Sequence, residues 1–394
     1  MEFALSQRVG RIKPSPTLAV TAKAGELKAQ GLDVLSLGAG EPDFDTPEHI
    51  KEAARGAIAR GFTKYTPVGG IPALKTAIIN KMKRDNGLDY KANQILVSTG
   101  GKQACYNLCQ AYLNATDEVI VPAPYWVSYP DMVLLADATP VMIETTQEAR
   151  FKITPEQLER AITPRTKMIW LNSPSNPSGM AYSKAELTAL GEVLRKHPQI
   201  LICSDDMYEK ILWTNEPYSN ITNACPDLYE RTVIIHAVSK TYSMTGWRIG
   251  WACGPAKLIT AMNDIQSQST SNPNSIAQVA AEAALSGDQG CVTEMVKAFK
   301  SRHDALVADL NSVPGINCAA GDGTFYVFPN VEGLIAKLGV KDDLELSDLM
   351  LQKALVALVP GSAFGTPGHV RLSFATSEKV LKGAVERIRA MAVG

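Results

Sequence analysis

Short apolar runs recur through the middle of the chain and alternate with stretches that mix apolar and charged residues. Ile95–Ser98, Glu118–Val121, Pro140–Ile143, Met168–Leu171, Ile200–Cys203 and Thr232–Val238 carry the β-branched residues that favour strands. The intervening stretches predict helices over about 104–114, 128–135, 155–161 and 184–196. Strands that are apolar throughout are buried on both faces, so the alternation predicts an α/β fold on a mostly parallel central sheet covered by helices. Upstream, Pro14 and Pro16 predict an extended arm, followed by a polar helix from about Val20 and a short strand over Asp33–Leu37. Thr46-Pro47-Glu48 combines an N-cap residue, a proline at the first helical position and an early acid, which starts a helix running from Pro47 to about Arg60. After Gly254 a long helical region extends to about Val313, with breaks near 271–274 and 286–288. Strand candidates at 323–328, 356–361 and 369–374 then sit among helices and predict a smaller α+β unit. The expected division is an arm with part of the small domain over 1–47, a large domain over 48–289, and a small domain over 290–394.

With 394 residues the chain exceeds a single core, in keeping with two domains. Thirty-nine basic residues against forty acidic ones give a net charge of -1, which offers no electrostatic footprint for nucleic acid or an anionic membrane surface. No apolar run is long enough to span a bilayer, so a cytoplasmic location is the default expectation. The 7 cysteines are scattered without CxxC spacing, and the 5 histidines form no ligand pair; neither a disulfide framework, a zinc site nor any other metal site is expected. A small-molecule ligand fits this composition best.

Candidate chemistry concentrates at strand ends. Lys240 follows the run at 232–238, and a lysine there either snorkels into solvent or serves as an amine of lowered pKa able to condense with an aldehyde. Arg248, eight positions on between Gly246 and Gly250, is suited to bidentate phosphate binding. Gly38-Ala39-Gly40 lacks the continuation and helix of a dinucleotide fingerprint. Gly100-Gly101-Lys102 lies between a strand and a helix start, which suits a phosphate but also describes an ordinary βα turn; it is not a Walker A loop. Asn176, in the turn Asn172–Gly179, Asp205 and Tyr208 after the strand at 200–203, and Trp126 after the strand at 118–121 stand at the same kind of position. Each has a plainer alternative: a loop asparagine, a helix cap, a packed aromatic. Arg371 lies in a strand, where a buried guanidinium requires a carboxylate from a ligand or from an ion pair. His236, on the Lys240 strand, is expected to be a structural histidine.

Ser239-Lys240 with Met244–Gly250, Gly40–Pro47 and Tyr125–Pro130 together resemble the class I aminotransferases of fold type I, which use pyridoxal 5'-phosphate (PLP). The resemblance covers essentially the whole chain and is closest to the bacterial aspartate aminotransferases. It implies that Lys240 anchors PLP and carries a proton, that Asp205 faces the pyridine nitrogen, and that Asn176 and Tyr208 bond the phenolate oxygen. Trp126 is implied to stack on the ring. Gly100, Gly101, Lys102, Ser239 and Arg248 are implied around the phosphate, with Tyr65 reaching it from the second subunit of a homodimer. Arg371 is implied to take the substrate α-carboxylate, with Gly40, Trp126 and Asn176 beside the substrate. Two positions depart from the pattern: Ala237 replaces a serine of some relatives, and Lys102 stands where many have a small hydroxyl residue. Some relatives that accept both aspartate and prephenate carry a lysine at the position of Lys13, within an Arg-x-Lys-Pro-Ser arm like Arg11–Ser15, which implies that Lys13 binds the distal carboxylate of the substrate; an ordinary surface lysine is the alternative. The implied reaction is amino transfer from L-aspartate to 2-oxoglutarate, giving oxaloacetate and L-glutamate, with prephenate to arogenate as a second use. A PLP-dependent lyase or an aromatic aminotransferase of the same fold is the rival, and a non-enzymatic PLP-binding regulator lacks the spare basic segment it needs.

Overall fold

The computed structural model describes residues 3–393. Its strands are β1 (Leu35–Ser36), β2 (Ile95–Ser98), β3 (Glu118–Pro122), β4 (Thr139–Ile143), β5 (Thr166–Asn172) and β6 (Leu201–Asp205), then β7 (Thr232–Ala237), β8 (Gly250–Cys253), β9 (Tyr326–Val327), β10 (Val356–Ala357), β11 (Val359–Pro360) and β12 (Val370–Ser373). One sheet holds seven of them in the order β2-β8-β7-β6-β5-β3-β4. All run parallel except β8, which pairs antiparallel with both β2 and β7. Every residue of β6 and β7 is buried, because helices cover both faces of the sheet. Burying one isoleucine such as Ile234 or Ile235 stabilises the fold by roughly 1.5–3 kcal/mol.

Several helices start where a side chain satisfies one of their free ends. Thr154 and Ser183 cap Pro155–Ala161 and Lys184–Arg195, each in a reciprocal capping box with Gln157 and Glu186. The first helix begins at Pro16, ahead of the expected Val20, since proline at the first helical position forfeits only an N–H that would be unpaired anyway. Ser15 before it is extended, as a pre-proline residue should be. Helices Pro72–Asn86 and Glu378–Val393 and strand β8 are additional to the expected elements. The helical region after Gly254 divides into Ala256–Ser267, Ser275–Ser286 and Gly290–Asn311.

Away from the large sheet, β1 pairs in parallel with β10, and β11-β12-β9 form an antiparallel sheet. One apolar core joins these strands to Gly290–Asn311 and Glu378–Val393 through Phe299, Leu306, Val356, Leu372 and Ile388. That core presents β12, and with it Arg371, towards the carboxyl edge of the large sheet. Among the described residues no helix is long and apolar enough to cross a membrane.

Candidate active site

The carboxyl ends of β2, β3, β5, β6 and β7 meet along one edge, where ligands bind in parallel α/β sheets. Because β8 runs the other way, its first residue lies at that same edge: Gly250 pairs with Ser98 and with Ala237. The chain therefore leaves β7 carrying Lys240, turns, and returns carrying Arg248. A Cβ on Gly250 would lie 2.3 Å from the Gly101 nitrogen, so glycine is what lets these backbones close up. Gly100 has φ +82, and the space its Cβ would take is filled by the Arg248 guanidinium. Arg248 itself has φ +58, which costs a non-glycine residue about 1 kcal/mol. Its Nη1 donates to the Thr245 carbonyl at 2.9 Å.

Lys240 is half-buried, and its Nζ donates to the Gly40 carbonyl. Burial lowers its pKa to about 8; Glu41 opposes the fall, and Arg248, Arg371 and Lys102 add to it. The Gly40 loop is fastened to the Lys240 segment by Thr245 Oγ1 donating to Glu41 Oε2 (2.8 Å) and Trp247 Nε1 to Thr46 Oγ1 (3.0 Å).

Asp205 ends β6 and is buried, which raises its carboxyl to about 6. The Tyr129 hydroxyl and the Met207 N–H, the latter at 3.2 Å, donate to it and favour the ionised form. Tyr129 is held by stacking on Trp170, centroids 4.5 Å apart. Asn172 Nδ2 donates to the Asp205 carbonyl at 3.0 Å, while its Oδ1 accepts from the Asn176 N–H at 2.9 Å, which links the ends of β5 and β6. The Tyr208 hydroxyl lies 3.1 Å from that of Tyr326.

Arg371 is 2% exposed. Its Nη1 donates to Asn176 Oδ1 at 3.0 Å and its Nη2 to the Gly38 carbonyl at 2.8 Å, and the guanidinium lies 4.4 Å from the Tyr326 ring centroid. Nε has no partner, and no carboxylate pairs with this side chain among the described residues. Such burial costs several kcal/mol unless an anion arrives.

These groups surround a cleft of about 250 Å³. Lys240, Asp205, Tyr208, Asn176, Arg248 and Arg371 line it, and so do Gly40, Gly101, Lys102, Trp126 and Ser239. Three expected site residues do not. Gly100 lies behind Arg248. Lys13 is exposed beside Asp131, although Ser15, two residues on, reaches the cleft. Tyr65 is 93% exposed on a separate surface with Phe62 and Ile71, so this chain's own cleft does not receive it. His236 is buried away from the cleft against Trp251. Tyr129, Asn172 and Tyr326 also line the cleft and were missed from sequence; Tyr129 lay inside the quoted Tyr125–Pro130 stretch, but its partner Asp205 is remote along the chain.

The donor set suits a flat aromatic ring bearing an aldehyde and a phosphate. A free amine, a buried carboxylate for a ring N–H, an indole face at Trp126, and the glycine turn filled by Arg248 occupy separate parts of one cleft. Arg371 leaves room for a second anion.

Fold and cleft together define a vitamin B6-dependent group-transfer enzyme of fold type I. Residues 32–388 match the family model described as Aminotransferase class I and II, and the chain belongs to that family. It is an aminotransferase, and the members of its family use PLP. The chain is 60% identical over 393 residues to the aspartate/prephenate aminotransferase of Nitrosomonas europaea, covering 98% of this chain and 99% of that one. It superposes on the aspartate aminotransferase of Rhizobium meliloti with a TM-score of 0.95 at 46% identity, covering 99% of each chain. The Thermus thermophilus aspartate aminotransferase solved with maleate gives 0.94 at 44% identity, over 99% of this chain and 100% of that one.

Proposed function

We propose that this aminotransferase moves the amino group of L-aspartate to 2-oxoglutarate, giving oxaloacetate and L-glutamate, and also accepts prephenate. The observation that carries the reading is Arg371: a buried fork without a carboxylate of its own, opening on the cleft that holds a lysine of lowered pKa. Relatives named for aspartate, one of them also for prephenate and one solved with the dicarboxylate maleate, support the substrate class.

When bound, PLP supplies an aldehyde that condenses with amines and a ring that accepts the electron pair of the substrate α-carbon. Lys240 would hold the aldehyde carbon, Asp205 the ring nitrogen, Asn176 and Tyr208 the phenolate oxygen, and Trp126 one ring face. Gly100, Gly101, Ser239 and Arg248 would surround the phosphate. Ionised Asp205, kept so by Tyr129 and Met207, favours a protonated ring nitrogen. Arg371 binds the substrate α-carboxylate and so aims the α-hydrogen at Lys240 Nζ, which takes that proton and holds it for return. Varying both substrates should give parallel double-reciprocal lines, and intersecting lines would contradict the ping-pong order; pyruvate and ammonia released from a substrate with a β leaving group, with no oxo-acid acceptor, would favour the lyase reading.

Only the neutral amine condenses with an aldehyde. Since burial brings Lys240 down to about 8, the rate at which apoenzyme captures PLP should rise with pH through about 8 and level off above it. Stopped-flow absorbance across pH checks this, and a rate still climbing towards the ordinary lysine range would contradict it.

Lys102 extends over Trp126, Nζ 5.0 Å from the ring centroid, and we assign it the distal carboxylate of aspartate. Lys102→Ser should lower kcat/KM for aspartate about 10–100-fold while leaving alanine nearly unchanged. Lys13, expected from sequence to take that carboxylate, lies exposed beside Asp131 outside the cleft and is reassigned to the longer acceptor, so Lys13→Ala should affect prephenate more than aspartate. Equal losses on alanine and aspartate in Lys102→Ser would refute the first assignment.

A homodimer belongs to the same proposal. Exposed Tyr65 with the apolar surface around Phe62, Pro67 and Ile71 fits a partner whose cleft Tyr65 completes. So does the division of the chain at 47 and 289, which is supported by the core built mainly from Met295 to Ala392 with Leu37, to which Tyr208 and Ile211 are the buried contributors from the large domain.

A further inference from the structure

Behind the cleft, the turn that follows β6 is tied to the body of the protein by a buried ionic cluster that touches no ligand site. Glu209 is 4% exposed and pairs with Lys81, 2% exposed, from helix Pro72–Asn86. Asn86 braces both: its Nδ2 donates to Glu209 Oε2 at 2.9 Å, and its Oδ1 accepts from Lys81 Nζ at 2.8 Å. On the other side His236 of β7 turns Nε2 towards Glu209 Oε1 at 3.3 Å, too poorly aligned for a hydrogen bond, while its ring stacks on Trp251. Asp85 stands 3.9 Å from Lys81 as a further acid. Burial raises the Glu209 carboxyl, and Lys81 and His236 overcome that and hold it well below the usual range.

Charges this dry return little net stability, and an apolar replacement of equal volume generally folds as well or better. Their position supplies the missing reason. Glu209 follows Tyr208 directly and stands four residues after Asp205; its N–H closes the turn on the Asp206 carbonyl at 3.0 Å. Just beyond, the same segment is bonded to the C-terminal core, with Thr324 N–H donating to the Ile211 carbonyl at 2.8 Å and Trp213 N–H to that of Asp322 at 2.9 Å. The segment 205–213 is thus pulled from two sides. Glu209 registers it against β7, the strand that delivers Lys240.

We propose that Glu209, clamped by Lys81 and Asn86 and faced by His236, is a positioning residue for transamination: it locks the turn bearing Asp205 and Tyr208 to the strand that leads into Lys240. The proposal rests on the aminotransferase reading of the cleft. The test uses PLP-loaded Glu209→Gln, Lys81→Met/Glu209→Gln and Asn86→Ala, with kcat, KM for aspartate, the pH midpoint of the bound cofactor's absorbance change, and Tm. Glu209→Gln leaves Lys81 buried with Asp85, 3.9 Å away, as its nearest acid, so Tm should fall, and kcat should drop about tenfold with KM within about twofold. The double variant removes both members of the buried pair and leaves Asp85 to Arg84 and Lys210, so Tm should return to the wild-type value or above it while kcat stays about tenfold down and the midpoint stays displaced. Recovery of kcat and midpoint together with Tm would show a merely structural pair and overturn the proposal. Asn86→Ala keeps the pair but takes one hydrogen bond from each partner, so Tm should fall less than in Glu209→Gln and kcat should drop about threefold, which covers the case in which the charge variants fail to fold; wild-type kcat and midpoint in it would also overturn the proposal. A wild-type enzyme that transfers no amino group would instead refute the reading of the cleft, so the two failures are distinct.

Discussion

Lys240→Ala is expected to lower turnover by at least about 10⁴-fold while leaving the fold intact. The size follows from two losses at one position, the covalent hold on the cofactor and the carrier of the α-proton. No neighbour replaces it. Arg248 and Arg371 line the same cleft, but a guanidinium does not release its proton near neutral pH. Lys102 extends over Trp126, and Asp205 and Tyr208 are engaged with Tyr129 and Tyr326. Tm should change little, because the amine removed is half-buried and its charged form is already disfavoured there. Single-turnover rates on variant enzyme with PLP added would measure the loss, and more than about 1% of wild-type turnover would refute the role.

Arg371→Leu is expected to separate activity from stability. Removing the fork that receives the α-carboxylate should cost about 3–4 kcal/mol of transition-state binding, or roughly 10²–10³-fold in kcat/KM for every amino acid tested. Arg371→Lys should recover only part of this, since an ammonium does not reproduce the bidentate geometry. In the ligand-free protein the effect reverses. A buried guanidinium without a carboxylate is a burden on the fold, so Arg371→Leu should hold or raise Tm. A large fall in Tm would mean that its bonds to Asn176 and Gly38 are structural first.

The large sheet was legible because its strands are apolar throughout: Ile200–Cys203 and Thr232–Val238 could be read without knowing their neighbours, and β6 and β7 stand there. Lys240, Asp205 and Asn176 stood out for a related reason, as polar residues just past such runs. Gly250–Cys253 was not legible, since four residues with one glycine and no β-branched side chain carry little strand signal; its place comes from pairing with both Ser98 and Ala237. Pro72 and Gly87 do punctuate the helix between them, but its many charged residues mask the buried face. Lys81 shows the limit most clearly. It looks like a solvated helix lysine, and only folding brings Glu209 to it. Tyr129 is the same case, an ordinary helix aromatic until its hydroxyl meets Asp205. Contacts between residues remote in sequence made the difference in each.

The most direct test is an absorbance titration of PLP-loaded enzyme with each substrate alone. L-Aspartate without an oxo acid should convert the bound cofactor to its pyridoxamine 5'-phosphate form with about one oxaloacetate released per site, and 2-oxoglutarate should then restore the starting spectrum and yield L-glutamate. A spectrum unmoved by aspartate, or a change that 2-oxoglutarate does not reverse, would contradict amino transfer at Lys240.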